Sequence, residues 1–280
     1  MRVTVIMTTY NQPEWLKKVL WGFECQRYKD FDIIIADDGS GEETREMIEC
    51  FRKETGLSII HVWQEDNGHQ KCKILNKAIV ASKTDYLIFT DGDCIPRSDF
   101  VENHLRHAKK GYYLSGGVVR LPMNISLMIT REDVVSGRTF EIEWLRDRGL
   151  PNRTLKNLKL TATGAFAKFL NKITPRKPTW NGGNSSGWKS DLIAVNGFDE
   201  RMGYGGQDVE CGYRMVNNGV KPLQLVYSLA SIHLDHPRGY KTDEAVKRSR
   251  IFMHETKSSG KKWTDFGIIK EEPRQSIAVS

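Results

Sequence analysis

The amino-acid sequence predicts an α/β fold, with a mainly parallel sheet that is covered by helices on both faces. Three times before residue 86, a short apolar run is followed by a polar turn and then by apolar residues at helical spacing. This order is typical of a parallel sheet, because each helix returns the chain to the same end of the sheet. A hydrophobic content of 39% and a charged content of 28% over 280 residues are typical of a globular protein with a sizeable core.

The individual elements follow from the same patterns. Uncharged apolar runs predict strands, and apolar residues three or four positions apart predict helices. Residues 111–122 should form two strands that turn at Gly116-Gly117, and residues 131–148 a charged helix. The other expected strands are 3–7, 31–36, 57–63, 86–89 and 226–232, and the other expected helices begin after Pro13 and cover 42–52, 72–81 and 207–217.

Composition narrows the class of protein. No apolar run approaches the roughly 20 residues that cross a bilayer, and no cleavage site of small residues follows Met1, so no signal peptide is expected. The five cysteines are scattered and include no Cys-x-x-Cys pair, which favours reduced thiols over a disulfide framework or a zinc site. The net charge of +7 favours acidic partners, which include nucleotides, nucleic acid and anionic lipids. These features predict a cytoplasmic protein.

Asp91-Gly92-Asp93 follows the buried strand 86–89 and is the central motif of the chain. Two carboxylates at the end of a buried strand are costly unless a cation or a donor-rich ligand meets them. Hard oxygen ligands suit Mg²⁺ or Mn²⁺, particularly an ion that also carries substrate phosphates. The alternative is an Asp-Gly turn that closes a hairpin, since such turns are common.

Two further polar turns should lie beside this motif. Thr8-Thr9-Tyr10-Asn11 and Asp37-Asp38 each follow a predicted parallel strand, and ligands bind outside the carboxyl ends of such strands. The three turns are therefore expected to line one crevice. The first turn lacks the glycines of a dinucleotide-binding loop and the Gly-Lys-Ser/Thr of a phosphate-binding loop, which disfavours both of those classes.

Residues 151–178 form a basic segment with interleaved apolar residues. The segment contains no acidic residue. One interpretation is a solvated helix with a packed inner face, and the other is an amphipathic surface that rests on anionic membrane. Its basic residues are Arg153, Lys156, Lys159, Lys168, Lys172, Arg176 and Lys177.

The block from Trp180 to Asp191 alternates aromatic, Gly, Asn and Ser residues, which suit a sugar. Trp188 could pack on the apolar side of a pyranose ring. Downstream, Gly206 permits close approach of a ligand, and Asp208 in the first turn of a helix is a candidate general base. The late strand ends at His233, with His236 nearby, and a histidine there is either structural or a metal ligand.

At this point the chain resembles a family 2 glycosyltransferase of the GT-A fold, a Rossmann-like mixed sheet. The resemblance rests on ordered motifs over residues 1–240, each weak alone and strong together. The late block is similar to a segment that β-1,4-galactosyltransferases share with bacterial chondroitin-polymerase-type enzymes. The matching pieces are Val5-Ile-Met-Thr-Thr-Tyr-Asn11, Asp37-Asp38-Gly39-Ser40, Asn67-Gly68 with Lys71 and Asn76, Asp91-Gly92-Asp93, Asn196-Gly-Phe-Asp-Glu200 and Gly205-Gly206-Gln207-Asp208.

The resemblance implies a metal-dependent inverting transfer of a hexose or N-acetylhexosamine from a UDP-sugar to a saccharide or glycolipid acceptor. Bacterial surface polysaccharide or lipopolysaccharide synthesis is the implied setting, peripheral at the inner membrane face and without nucleic acid. Mn²⁺ or Mg²⁺ would be bound by Asp93 and His233, with His236 as the alternative second ligand, and Asp208 would be the base. Substrate would be bound by Thr8, Tyr10, Asp37, Asp38, Lys71, Asp91, Trp188 and Gly206.

The chain departs from the family pattern in two places. It has Gln207-Asp208 where the family usually has Glu-Asp, and His69-Gln70 where Phe-Arg is frequent. Lys71 would then take over the basic role. The expected division is a nucleotide-sugar-binding half over 1–110, an acceptor-binding and catalytic half over 111–240, and a C-terminal extension over 241–280.

Other functional classes stay open at this point. A sugar-1-phosphate nucleotidyltransferase also uses acidic metal sites, but it needs a Gly-rich basic loop after the first strand, and Thr8 to Pro13 contains neither Gly nor Lys. An inactive homologue would bind nucleotide sugar without transfer. A nucleic-acid module would show aromatic stacking platforms with flanking arginines, whereas the basic residues here cluster in one block.

Overall fold

The structure is a computed structural model that describes residues 1–152, 154–175, 179–237 and 242–270. In these parts of the chain, one sheet of eight strands has the order β3-β2-β1-β4-β7-β6-β8-β5. The predicted α/β class is confirmed. The strands are β1 (Val3–Thr9), β2 (Phe31–Asp37), β3 (Ile59–Trp63), β4 (Tyr86–Asp91), β5 (Cys94–Pro96), β6 (Tyr112–Arg120), β7 (Asn184–Trp188) and β8 (Lys221–His233).

Helices cover both faces of the sheet. Pro13 lies at the start of the first helix, as expected from its fixed φ. Within the described residues, no helix is both long and apolar enough to span a bilayer. The helices are α1 (Pro13–Glu24), α2 (Glu42–Thr55), α3 (Lys71–Ala81), α4 (Phe100–His107), α5 (Met123–Met128), α6 (Arg131–Val135), α7 (Ile142–Asp147), α8 (Thr154–Thr161), α9 (Gly164–Ile173), α10 (Lys189–Ala194), α11 (Gln207–Asn217) and α12 (Asp243–Ser259).

The first half of the sheet is parallel. β1 pairs with β2 and with β4, and β2 pairs with β3. Thr9 pairs with Asp37, and Thr8 pairs with Asp91. The three polar turns therefore lie at one edge of the sheet, as the sequence predicts.

The second half of the sheet is mixed. β7 runs antiparallel between β4 and β6, while β6 and β8 are parallel. β5 pairs with β8 rather than with β4. Asp91-Gly92-Asp93 is therefore not the turn of a hairpin; it redirects the chain from β4 across the sheet.

The core has two layers, one on each face of the sheet. Val5 and Met7 belong to one apolar cluster and Ile6 to the other, because successive side chains of a strand point to opposite faces. The first cluster lies under α1, and the second contains residues of α3, α10 and α11. Both layers hold the carboxyl ends of the central strands in fixed positions.

Two predictions of local structure were wrong. Residues 111–122 contain one strand, β6 (Tyr112–Arg120), and not a pair of strands. A Cβ on Gly116 would lie 2.1 Å from the side chain of Asn184, and one on Gly117 would lie 2.1 Å from Val226 O. The two glycines therefore allow Asn184 and Val226 to pack closely against β6, next to a register shift in the β6–β8 pairing. They do not form a turn.

The expected charged helix over 131–148 is interrupted. It divides into α6, a 3₁₀ turn at Arg138–Phe140 and α7. Gly137 has φ of 78°, a left-handed conformation that ends α6. Thr130 and Asp133 form a reciprocal capping box at the start of α6.

Candidate active site

A cavity of about 420 Å³ opens at the carboxyl ends of β1, β2 and β4. The start of α11 and the end of β8 complete its wall. Nine of the residues predicted from the sequence line it, which brings turns from distant parts of the chain into one site. These residues are Thr8, Tyr10, Asp38, Lys71, Asp91, Asp93, Gly206, Asp208 and His233.

The floor of the cavity is the turn after β4. Gly92 N donates to Thr8 O at 2.7 Å, and a Cβ at Gly92 would lie 2.8 Å from the same oxygen. Only glycine fits this approach. Asp91 Oδ1 accepts bonds from Thr8 Oγ1 at 2.8 Å and from Lys71 Nζ at 2.6 Å. The turn thus fixes Asp91 within the cavity.

Asp93 lies beside two imidazoles. Its Oδ2 is 2.8 Å from His236 Nε2 and 3.5 Å from His233 Nε2, and the ligand atoms of the three residues lie within 4.8 Å of one another. A carboxylate with two imidazoles suits a divalent ion such as Mn²⁺. His233 Nδ1 is buried without a hydrogen-bond partner among the described residues, which is consistent with a ring available to a ligand.

Contacts at the Nδ1 atom of His236 orient its ring. Its Nδ1 lies 2.8 Å from Pro237 O and 3.2 Å from Gln12 Nε2, and the shorter contact, to an oxygen that only accepts, favours a proton on Nδ1. In the neutral ring, Nε2 is then an acceptor that faces the Asp93 carboxylate. Two acceptors at this separation need a proton or a metal ion between them, and backbone contacts of this kind are common behind metal-binding histidines. The residues therefore fit a divalent metal.

A second group of ligand atoms, from Asp91, Asp93 and Cys94, overlaps the first. Burial raises the pKa of the Cys94 thiol well above its usual range, and the neighbouring Asp93 adds to this shift. Because the thiolate is the form that binds metals, the group with His233 and His236 is the better ligand set.

Asp38 and Tyr10 line the other end of the cavity. Asp38 accepts bonds from Gln64 Nε2 at 2.6 Å and from Gln70 N at 2.8 Å. Burial nevertheless raises the pKa of Asp38 to about 6. The Tyr10 side chain is 41% exposed and donates to Asp66 Oδ2 at 2.8 Å. This end therefore offers a carboxyl group and an accessible aromatic face.

Asp208 is the second residue of α11, and two glycines with φ of 97° and 101° precede the helix. Burial raises the pKa of Asp208; Lys71 opposes the shift, and Asp91 adds to it. Its Oδ1 is buried without a hydrogen-bond partner among the described residues. A Cβ at Gly182 would lie 2.5 Å from Asp208 Oδ2, so glycine is required opposite this carboxylate.

Lys71 couples the two acidic sides of the site. Burial alone would lower the pKa of its ammonium group, but Asp91, Asp208 and Asp93 together outweigh burial and raise it. The lysine therefore stays charged, and it favours the ionised form of Asp208.

A family model described as "Glycosyl transferase family 2" matches residues 4–174, more than half of the chain. The chain belongs to glycosyltransferase family 2. A second model, described as the N-terminal domain of galactosyltransferase, matches residues 165–238. Both parts of the predicted resemblance are confirmed.

Curated relatives of this family 2 glycosyltransferase include two named transferases. The chain is 26% identical over 266 residues to a chondroitin synthase of Escherichia coli, covering 88% of the chain and 37% of that protein. It is 25% identical over 256 residues to a validoxylamine A glucosyltransferase of Streptomyces hygroscopicus, covering 86% and 57%. The chain thus spans less than two thirds of these relatives.

Solved structures confirm the GT-A fold. Staphylococcus aureus TarS 1–349 in complex with UDP-GlcNAc aligns with a TM-score of 0.62 at 14% identity, over 93% of this chain and 69% of TarS. The mannosyltransferase PcManGT of Pyrobaculum calidifontis, in complex with GDP-Man and Mn²⁺, aligns with a TM-score of 0.58 at 16% identity, over 92% and 71%.

Two predicted substrate-binding residues of the glycosyltransferase lie outside the cavity. Asp37 is fully buried and accepts bonds from Ser40 N and His61 Nε2, both at 2.8 Å, so it shapes the turn after β2. Trp188 pairs with Tyr86 at the opposite edge of the sheet from Asp91. The antiparallel direction of β7, which the sequence did not reveal, places Trp188 there.

Several residues that line the cavity were not predicted from the sequence. His69 packs edge to face against Tyr204, with ring centroids 5.9 Å apart. Arg120 and Asn181 also line the cavity. A charged residue directly after an apolar run, such as Arg120 after Gly117-Val118-Val119, marks a strand end and was the available signal for this position.

Proposed function

We propose that this chain is a metal-dependent inverting glycosyltransferase that moves a hexose or N-acetylhexosamine from a UDP-sugar to a saccharide or glycolipid acceptor. One observation carries the proposal: a ligand set of Asp93, His233 and His236 lies in the same cavity as Asp208, a carboxylate with a buried oxygen that lacks a partner. Leaving-group stabilisation and a base in one cleft are what transfer to a hydroxyl requires.

The nucleotide of the donor would bind at the end of the cavity that Asp38 and Tyr10 line. Tyr10 offers a ring for the uracil base, and Asp38 accepts from its N–H or from a ribose hydroxyl. Thr8 and Lys71 hold Asp91 toward the ribose or donor sugar. The UDP-GlcNAc bound by TarS, of the same fold, supports a UDP-sugar as the donor.

Asp93 and His233, together with His236, would hold Mn²⁺ or Mg²⁺. When bound, such an ion neutralises charge on the departing diphosphate. Asp208 accepts the proton of the acceptor hydroxyl; Gly182 leaves room for this carboxylate, and Gly206 lines the cavity beside it. Attack from the side opposite the leaving group inverts the anomeric configuration.

The acceptor and setting come from the relatives and the surface. A chondroitin synthase among the relatives supports a saccharide acceptor in bacterial surface polysaccharide or lipopolysaccharide synthesis. Residues 1–110 would bind the nucleotide sugar, 111–240 the acceptor, and α12 of the C-terminal extension would support the Gly205-Gly206 loop. Residues 238–241 and 271–280 lie outside the described residues.

Peripheral contact with the cytoplasmic face of the inner membrane is part of the proposal. α9 exposes Phe166, Phe169 and Ile173, each more than 50% accessible. Lys168 and Lys172 flank this face and are also exposed. Lys159, by contrast, is buried and donates to Val118 O at 3.2 Å, so it is not available to a membrane. Arg153, Arg176 and Lys177 lie outside the described residues.

Removal of the metal ligands tests the proposal. Wild type should bind UDP more tightly with Mn²⁺ than without it in calorimetric titrations, and it should turn over one member of a UDP-sugar panel. Asp93→Ala should abolish transfer and the Mn²⁺ dependence of UDP affinity. His233→Ala should weaken that dependence more than His236→Ala does.

Asp85→Asn, at an exposed position outside the cavity, is the control for a general loss of carboxylate charge. An Asp93→Ala variant whose UDP affinity still rises with Mn²⁺ would rule out the metal assignment. UDP-sugar binding without any transfer would instead indicate the inactive homologue, and release of pyrophosphate from UTP and a sugar phosphate would indicate the nucleotidyltransferase.

A further inference from the structure

Arg120 is a cavity-lining cation that the proposed mechanism does not use. It is the last residue of β6 and the register partner of His233 in the parallel pairing with β8. Leu121 N donates to His233 O at 2.9 Å, which fixes the backbone beyond it. Val118, two residues earlier, lines the same cavity, because alternate residues of a strand share a face. Arg120 therefore lies beside the candidate metal ligands.

The charges around the cavity are unbalanced. In the described part of the chain, its lining includes four carboxylates but only two Lys or Arg side chains, Lys71 and Arg120. Lys71 already forms an ion pair with Asp91, with Nζ 2.6 Å from Oδ1. Arg120 is exposed, and among the described residues no side chain accepts a hydrogen bond from it or forms an ion pair with it.

An arginine in the lining of this cavity that pairs with none of its four carboxylates is available to a ligand. The guanidinium group presents paired N–H donors in a planar fork that matches phosphoryl and carboxylate oxygens. Some other surface arginines of this chain form ion pairs, as Arg131 does with Glu24 at 2.7 Å.

We propose that Arg120 binds an anionic oxygen group of a substrate beside the metal centre. The group is either the diphosphate of the donor or a carboxylate on the acceptor sugar, and both offer the same bidentate chemistry. This inference rests on the proposed function in placing donor and acceptor in this cavity.

The first arm of the test measures the donor. Wild type, Arg120→Gln and Arg120→Lys are titrated with UDP, UMP and inorganic pyrophosphate in the presence of Mn²⁺. If the diphosphate is the ligand, Arg120→Gln should weaken UDP and pyrophosphate binding by about 10- to 100-fold, as expected for charge-assisted hydrogen bonds. UMP should lose less, and Arg120→Lys should restore part of the affinity.

The second arm measures the acceptor. Transfer is followed with oligosaccharides that end in a uronic acid and with the same oligosaccharides after reduction of the carboxyl group. If the carboxylate is the ligand, Arg120→Gln should raise KM about 10-fold or more for the acidic acceptor only. Arg27→Gln, another exposed arginine, is the matched control, and unfolding temperatures confirm that each variant folds.

Each result has one meaning. Unchanged affinity in the first arm and unchanged KM in the second would overturn the Arg120 inference, while turnover by wild type leaves the proposed function intact. Pyrophosphate binding that depends on Arg120, in a wild type without transfer, would uphold the anion site and reject the proposed function.

Discussion

At the scale of single residues, the site depends on carboxylates whose neighbours differ. Asp91 is bonded to Thr8 and Lys71, and Asp93 faces two imidazoles. Asp208 has a buried oxygen without a partner among the described residues. A group that accepts a proton from substrate needs a free lone pair, so Asp208 has the most suitable surroundings for a base.

Asp208→Asn tests this role. Asparagine keeps the size of the side chain but cannot take the acceptor proton, and loss of a general base typically costs about 10² to 10⁴ in rate. We expect kcat to fall in that range while the affinity for UDP and Mn²⁺ stays near that of wild type. The two quantities are measured by initial rates and by calorimetric titration.

Glu210→Gln is the comparison for this variant. Glu210 is 2% exposed and forms a bidentate pair with Arg214, with both contacts between 2.7 and 2.8 Å. Glu210→Gln leaves the buried guanidinium of Arg214 without an opposite charge and should destabilise the fold by roughly 3–5 kcal/mol, with a smaller effect on the chemical step. If Glu210→Gln loses its turnover at a temperature where it is folded, and Asp208→Asn keeps it, Glu210 is the base.

At the scale of elements, helix α9 has two faces with different surroundings. Ala167 and Leu170 pack against Val226 and Tyr227 of β8, so this side belongs to the core. Its other side exposes two phenylalanines and an isoleucine next to lysines. Apolar residues beside lysines are the composition of a helix that lies in a membrane interface.

Vesicle binding tests the exposed face of α9. We expect sedimentation with anionic vesicles that weakens as salt rises, since attraction to the surface contributes about 1 kcal/mol per lysine and is screened. The double variant Phe166→Ser/Phe169→Ser should bind less at all salt concentrations, and Lys168→Gln/Lys172→Gln should lose the salt dependence. Ile251→Ser on α12, also 50% exposed at that position, is the control. Equal binding to neutral and anionic vesicles would count against the membrane face.

At the scale of the whole molecule, buried polar residues tie the two halves of the sheet together. His104 of α4 is fully buried; its Nδ1 lies 2.8 Å from Ser186 Oγ, and its Nε2 lies 3.1 Å from Asn184 Oδ1. Asn184 also donates to Gly117 O and Leu229 O. A single network thus joins α4, β7, β6 and β8 behind the cavity.

Stability should depend on pH through this network. Burial lowers the pKa of His104 to about 3, and Asn184 opposes that shift. In the unfolded chain the His104 ring binds a proton near pH 6.5, whereas in the folded protein it does so only near pH 3. The contribution of His104 is therefore fully present above pH 6.5 and is lost as pH falls.

Chemical denaturation at pH 7.5, 5.5 and 4.5 measures the effect. The difference in unfolding free energy between wild type and His104→Gln should shrink by about 1.4 kcal/mol per pH unit below 6.5. The exposed His254→Gln gives the reference for loss of a histidine that does not enter the core. A difference that stays constant with pH would show that His104 is not held neutral.

The sequence by itself determined the parallel half of the sheet and most of the site. Strand, turn and helix alternate there, and parallel strands must place their carboxyl ends at one edge. The sequence therefore predicted that Thr8, Asp38 and Asp91 lie in one site, as the structure shows. The helix over 207–217 was also predicted correctly, with Asp208 in its first turn.

Only the tertiary structure decided the second half. The direction of β7 placed Trp188 far from the cavity, and the packing against Asn184 and Val226 explained Gly116-Gly117. Asp37 is buried and shapes the turn after β2, so it does not line the cavity. The pairing of β6 with β8 places Arg120 beside His233. Strand direction and pairing depend on contacts between residues far apart in sequence, and local patterns of hydrophobicity carry no information about those contacts.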